Sequence, residues 1–256
     1  MFTVYHFIWL GICFSLIAVC AILLNKYKPS LKDVLTIACA VSVISELIKT
    51  FSVIQLVPSS DGASMHLYIE QQHLPLHLCS LQIILIFTVR FIKDGKFKEM
   101  LLAFMYPSCV IGAFFALLLP TIFTSSIDVS QAFTHPLAYQ FFLYHTMLIL
   151  LGSYILTSRQ VKLKPKHYFS TLVILFIIAF VSLYLNSIFA APTYLNGELI
   201  SVDYTANFIF TYETPIGIAL TKLWHWYLYL AILLTLAVSL IALFYIPVFR
   251  ANKKTK

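Results

Sequence analysis

The chain alternates seven long apolar runs with linkers, and nearly all of its basic side chains fall in every second linker. The runs cover residues 4–24, 31–56, 74–92, 98–119, 136–157, 167–190 and 223–247. Each holds about 20 residues, which at 1.5 Å rise per residue crosses a hydrocarbon layer of roughly 30 Å. Backbone polar groups at that depth must be satisfied within their own segment, so the runs are expected to be helices. Only 11% of the 256 residues are charged, about half of what a soluble domain uses to cover its surface. The expected fold is therefore all-α, a single polytopic membrane helix bundle with seven transmembrane helices over residues 1–256.

Orientation follows from the basic residues. Fifteen of the 17 Lys and Arg lie in the linkers after runs one, three and five or in the C-terminal tail. The opposite side carries only Lys222, against Asp61, Glu70, Asp128, Glu198, Asp203 and Glu213. Lys and Arg are retained on the cytoplasmic side, which predicts an outside N-terminus, a cytoplasmic C-terminus and a multi-pass protein of the cell membrane. A net charge of +7 dealt out between apolar runs excludes a nucleic-acid partner, which would need the charge gathered on one face. No Lys or Arg precedes the first run, which reads as a retained span rather than a signal peptide. Cys13, Cys20, Cys39, Cys79 and Cys109 are odd in number and lie inside apolar runs, so no disulfide framework is expected. The outer linkers 57–73, 120–135 and 191–222 are the longer ones. Within the last, residues 206–220 are moderately apolar and interrupted by Pro215 and Gly217, a stretch that lies in the interface or re-enters the membrane.

Ionisable and polar groups inside spans are costly and mark either a pairing or a site. Glu46 falls near the midplane, with Lys49 one turn nearer the outside at i+3, and the two read first as an ion pair that neutralises itself. Run three opens with His73-Leu74-Pro75-Leu76-His77-Leu78-Cys79-Ser80. On a regular helix His73, His77 and Ser80 share a face, while Cys79 points about 200° from His77 and reads more readily as a small packing residue than as a nucleophile. Gln82 continues the Cys79 face and suits an interhelical hydrogen bond. His145 lies deep in run five, Asn186 near the outer end of run six, and His225 between Trp224 and Trp226 at the start of run seven. Each of these alone has a bland reading as packing or as part of an interfacial belt.

Their distribution is less bland. Of eight His only His167 is on the cytoplasmic side, and Glu46, Lys49, Gln82 and Asn186 all lie at or above the midplane. The expectation is a cavity opening outward, lined by Glu46, Lys49, His73, Gln82, Asn186 and His225. His beside a hydroxyl or thiol suits acyl transfer, with His77 and His145 as base and partner, Cys79 or Ser80 as nucleophile, and a membrane phospholipid as the ester. A metal would draw on His73, His77, His145 and His225, but no His-Glu-x-x-His spacing is present, and seven glycines leave no nucleotide cradle. Neither metal nor cofactor is expected. The alternative is a non-catalytic seven-span transporter, receptor-like binder or scaffold. Oligomeric state has no signature in the sequence.

The string Leu74-Pro75-Leu76-His77-Leu78-Cys79, with Tyr144-His145 and Trp224-His225-Trp226-Tyr227, resembles the YwaF-like bacterial integral membrane family. That family is similar to a eukaryotic polytopic acyltransferase that remodels ether phospholipids through a membrane Cys beside a His. The resemblance implies seven spans and lipid acyl transfer. In the acyltransferase the Cys directly precedes the motif His, where this chain has Leu76. Cys79 is then not its counterpart, and acyl transfer here needs another group or a relay through His77.

Overall fold

The computed structural model describes residues 2–59, 61–204 and 206–253. Eight α-helices appear in it: α1 Val4–Tyr27, α2 Leu31–Val53, α3 Leu78–Phe91, α4 Lys96–Leu118, the single turn α5 Ile122–Ser125, α6 Pro136–Thr157, α7 Lys166–Ile188 and α8 Leu223–Lys253. All of the long ones except α3 are long and apolar enough to cross a membrane, which makes six. The chain is a multi-pass membrane protein.

Local chemistry sets most of the boundaries. Thr3 and Ser30 cap α1 and α2 by accepting from the His6 and Asp33 amides, satisfying donors that a first turn leaves free. α1 ends where Lys28 turns left-handed ahead of Pro29. Pro136 occupies the first turn of α6 behind a His135 cap, a position where its missing N–H costs nothing.

α4 and α6 form the centre. Side chains 101–109 of α4 are buried without a break, the mark of a helix surrounded on all sides. α4 packs against α3, α6, α7 and α8, while α6 also meets α1 and α2. Gly152 makes the α4–α6 approach possible: a Cβ there would lie 2.7 Å from Val110 Cγ2 and 2.8 Å from the Tyr106 carbonyl oxygen. Small residues at such crossings let backbones come close in lipid, where apolar packing is the main attraction left. Pro107 inside α4 has no N–H for the Ala103 carbonyl four residues back. Thr171 Oγ1 of α7 and Tyr245 Oη of α8 donate to that carbonyl at 3.2 and 3.0 Å, so the proline that breaks one helix bond ties two neighbours to it. Trp9 fixes α1, stacked 4.7 Å from Phe142 and donating to the Ala132 carbonyl at 2.8 Å.

The basic linkers gather at one end. Gln160 bonds both the Leu31 amide and the Pro29 carbonyl, and Arg90 Nε donates to Thr36 at 2.6 Å. Outward-facing apolar side chains dominate α7, where Phe180, Tyr184 and Ile188 are 60–71% exposed.

Several features depart from the sequence reading. Two of the long linkers hold hairpins that the sequence reading did not include: β1 Gln55–Pro58 pairs antiparallel with β2 Met65–Tyr68, and β3 Ala190–Leu195 with β4 Glu198–Tyr204. Asn196 and Gly197 turn the second hairpin with φ of 51° and 84°, the double positive φ that an Asn-Gly pair adopts readily. α2 stops at Val53, short of residue 56, because the chain there is already entering β1. α3 starts at Leu78 rather than at residue 74 and has only 14 residues. Pro75 explains the delay, since a residue before proline is pushed out of the helical region and Leu74 sits at φ −60°, ψ 147°. α8 runs on through Pro247 to Lys253.

Candidate functional site

Several of the polar residues singled out in the sequence lie where α2, α3, α4 and α6 pack together. On α2, Lys49 Nζ lies 2.7 Å from Glu46 Oε1, with the Lys49 side chain 13% exposed. The ion pair expected at i+3 is therefore formed. Lys49 is close enough to His73 and His77 to act on both electrostatically.

The expected shared helical face of His73, His77 and Ser80 does not form. Residues Gln71–His73 make one 3-10 turn, Leu74 is extended, and His77 itself is extended at φ −70°, ψ 153° as the residue before α3. With His77 outside the helix, the 200° argument that set it opposite Cys79 no longer applies either. The cause is again Pro75, which keeps the start of the run from winding.

Cys79 occupies the heart of the group. Its Sγ packs against Gly112 of α4, 3.4 Å from where a Cβ would sit. Tyr144 of α6 donates its hydroxyl to the Cys79 carbonyl at 3.0 Å and lies beside Ser42 of α2. One helical turn further in, Gln82 Nε2 donates to Ser108 Oγ at 3.1 Å and Gln82 Oε1 accepts from Cys109 Sγ at 3.2 Å. That is the interhelical bond its position suggested. All five cysteines are unpaired thiols.

His145 sits on the α4-facing side of α6, on the same stripe as Phe141, Leu148 and Gly152 by helical spacing. Its Nδ1–H donates to the Phe141 carbonyl at 2.6 Å, which leaves Nε2 as the acceptor of a neutral ring. Among the described residues, no hydrogen bond joins His145 to His77, Cys79 or Ser80. Base and partner are thus on neighbouring elements without direct contact.

Asn186 and His225 are placed differently from the rest. Asn186 of α7 is fully buried and clamps the turn Phe208–Phe210. Its amide donates to the Phe208 carbonyl at 3.1 Å and to Thr211 Oγ1 at 2.7 Å, and it accepts from the Phe208 amide at 2.8 Å. Phe208, itself fully buried, sets its ring edge-on to His77 at 5.1 Å. Asn186 therefore reaches His77 through Phe208. Ile209 and Phe210 are both left-handed, with φ of 57° and 55°, a strained conformation for side-chain-bearing residues. Trp226 and Tyr229 of α8 hold the same turn through the Thr211 and Phe210 carbonyls. His225 is turned toward Thr221 at 3.3 Å and Trp224 at 4.0 Å, and none of its contacts reaches His77.

Nearer the surface, a half-open cavity of about 140 Å³ lies between the end of α2, Leu137 of α6, Glu70 and His73. His73 Nε2 is 4.0 Å from Glu70 Oε2, which also accepts from Gln72 at 2.5 Å. Burial pushes the His73 imidazole below its usual range, Glu70 pulls it partway back, and Lys49 adds to the fall. Among the described residues, no three His, Cys, Asp or Glu side chains gather as a metal site.

Tyr144, Ser42, Gly112 and Phe208 went unread in the sequence as parts of this site. Tyr144 had a usable signal, a phenol deep in a span and next to His145. Phe208 had none, because nothing local distinguishes it from the other 21 phenylalanines.

No curated protein and no solved structure matches the chain. The likeness to YwaF-like proteins rests on the quoted strings alone. Residues 1–245 match the model of the TMEM164 family, and the chain belongs to that family.

Proposed function

We propose that this is a seven-span protein of the cell membrane, N-terminus outside, that transfers or releases an acyl chain of a phospholipid in the outer leaflet. The observation that carries this reading is the convergence of His77, Cys79, Tyr144 and the Glu46–Lys49 pair between α2, α3, α4 and α6. Groups of that kind are costly at membrane depth and are kept there mostly for function. The gathering of the basic linkers at one end supports the orientation. In the seven-span count, α3 crosses together with the non-helical residues 74–77, since its 14 residues cover only about 21 Å.

In this scheme His77 is the general base. It takes the proton from the attacking group, Ser80, Cys79 or the hydroxyl of an acceptor lipid, as that group adds to the ester carbonyl. It then returns the proton to the departing glycerol oxygen. Lys49 lies where a lipid phosphate would find a cation. His145, with Nε2 free to accept, is the second base. A phospholipid partner is the natural ester in this setting, because it can enter sideways between helices.

The test is untargeted lipidomics on a strain lacking the protein, complemented with wild type or with His77→Ala at equal expression. A phospholipid or lysolipid pool that moves with wild type and not with His77→Ala supports acyl chemistry. Identical lipids in all strains would sink it. A second reading, a non-catalytic binder or transporter, is favoured by one observation: among the described residues, neither His77 nor His145 is hydrogen-bonded to a Ser, Cys or second His. That reading predicts unchanged lipids and a solute flux or ligand affinity lost in Glu46→Gln.

A further inference from the structure

The two hairpins share a pattern that the helices do not. Every residue of β1 and β2 is exposed, and so are nearly all of β3 and β4. A lone two-stranded hairpin is marginal in water because nothing covers a face of it. Side chains alternate across a strand, and in β4 Val202 and Tyr204, past the register shift that leaves Ile200 unpaired, alternate with Ser201 and Asp203. Cross-strand partners agree: Val202 is opposite Pro192 and Tyr204 opposite Ala190, whereas Ser201 is opposite Thr193 and Asp203 opposite Ala191. One face is apolar, the other polar.

The first hairpin also has one apolar face, on which Leu56 pairs with Leu67 and Pro58 with Met65, while Gln55, Val57, His66 and Tyr68 make the other, mixed face. The apolar faces are open, with Tyr204 42%, Leu56 60% and Leu67 72% exposed. Both hairpins also leave the bundle at the same level. β1 starts two residues after α2 ends, and β3 two residues after α7 ends. Tyr204 lies 4.7 Å from Tyr212, which in turn is 6.4 Å from Trp226, a run of the amphipathic rings that favour the membrane–water boundary.

We infer that both hairpins lie flat in the interfacial zone of the bilayer, on the side opposite the basic linkers, with their apolar faces against lipid. Lipid is the occupant because the open face of α7, ending in Tyr184 and Ile188, runs directly into β3. The cover that a hairpin lacks in water is then supplied by acyl chains, and Ser201 and Asp203 remain hydrated. This placement is independent of any chemistry at His77.

The test uses the full chain in lipid nanodiscs, spin-labelled at Val202→Cys or Asp203→Cys, and at Leu67→Cys or His66→Cys in the first hairpin. Unsubstituted protein labelled in parallel corrects for the native cysteines. Tyr204→Cys with Ser201→Cys repeats the measurement should Val202→Cys not fold. The expected result is a severalfold higher ratio of oxygen to water-soluble nickel-chelate collisions at Val202 and Leu67 than at Asp203 and His66. Equal ratios within either pair mean a hairpin standing in water and overturn the placement. Shielding of Val202 or Leu67 from both probes means a protein partner or second copy covers that face, and overturns it equally.

Discussion

α4 and α7 are both 23 residues long and similarly apolar, yet α4 is buried on every side and α7 almost nowhere. Hydropathy does not separate them. Composition does: α4 carries Pro107, Ser108, Cys109 and Gly112 in its middle, whereas the corresponding residues 177–182 of α7 are two Ile, Ala, Phe, Val and a single Ser. In lipid, apolar surface gains little by leaving acyl chains for another helix. Burial is decided by what lipid cannot satisfy: a close backbone approach, a freed carbonyl, a polar side chain. The α4–α6 seam has all three and becomes the centre. The residues that α7 buries are the polar His167, Thr171, Ser182 and Asn186.

The sharpest way to break this contrast is to make one change at the α4–α6 seam and the same change on another helix that, like α7, is little buried. Gly152→Leu forces a side chain onto Val110 and the Tyr106 carbonyl and is expected to cost about 3 kcal/mol, the upper range for overpacking. It should abolish the monodisperse peak in detergent chromatography. Gly11→Leu on α1 meets nothing within 4 Å and should leave stability within about 0.5 kcal/mol of wild type. Equal losses from the two would show that helix packing, not lipid, covers α1.

Asn186→Ala tests the outer attachment of α7. It removes three hydrogen bonds and leaves the Phe208 amide unpaired in a buried site, at a cost of about 2 kcal/mol. The expected readout is local: faster hydrogen exchange over residues 207–213 and a less protected His77, with the α4–α6 seam unchanged. Tyr245→Phe is milder, since Thr171 still donates to the Ala103 carbonyl. A loss of about 0.6–1 kcal/mol in thermal unfolding is expected, the usual worth of an interhelical bond in a membrane.

The smallest effect is a pH dependence at the outer cap. The folded protein holds His73 below its unperturbed value, so the unfolded chain binds the proton more readily. Stability from this group is complete above about pH 6.5, the unfolded value, and falls as pH drops through the lowered folded value. His73→Gln should flatten the unfolding temperature between pH 7.5 and pH 5 relative to wild type. An unchanged slope would mean that the cap is wetter than the structure has it.

Much of the architecture was legible before any coordinates. Apolar runs placed six long helices within a few residues, and i+3 spacing gave the Glu46–Lys49 pair. Errors clustered where a local rule was outvoted by another. Apolarity alone extended run three back to Leu74, but Pro75 kept residues 74–77 out of the helix. The hairpins went unread, although Asn196-Gly197 between alternating residues is a hairpin signal in its own right. His225 was grouped with the cavity by depth, and its direction around α8 then turned it away.

The sequence by itself determined that the chain inhabits a bilayer, where its helices run, and which linkers carry the positive charge. These depend on composition and spacing within short windows. Only the tertiary structure decided which helices are central, that Thr171 and Tyr245 answer the carbonyl freed by Pro107, and that Phe208 comes to rest on His77. Those are contacts between residues 68 and 142 positions apart in the chain, or a ring brought in from a distant loop. No local pattern encodes them, because each depends on how whole helices cross.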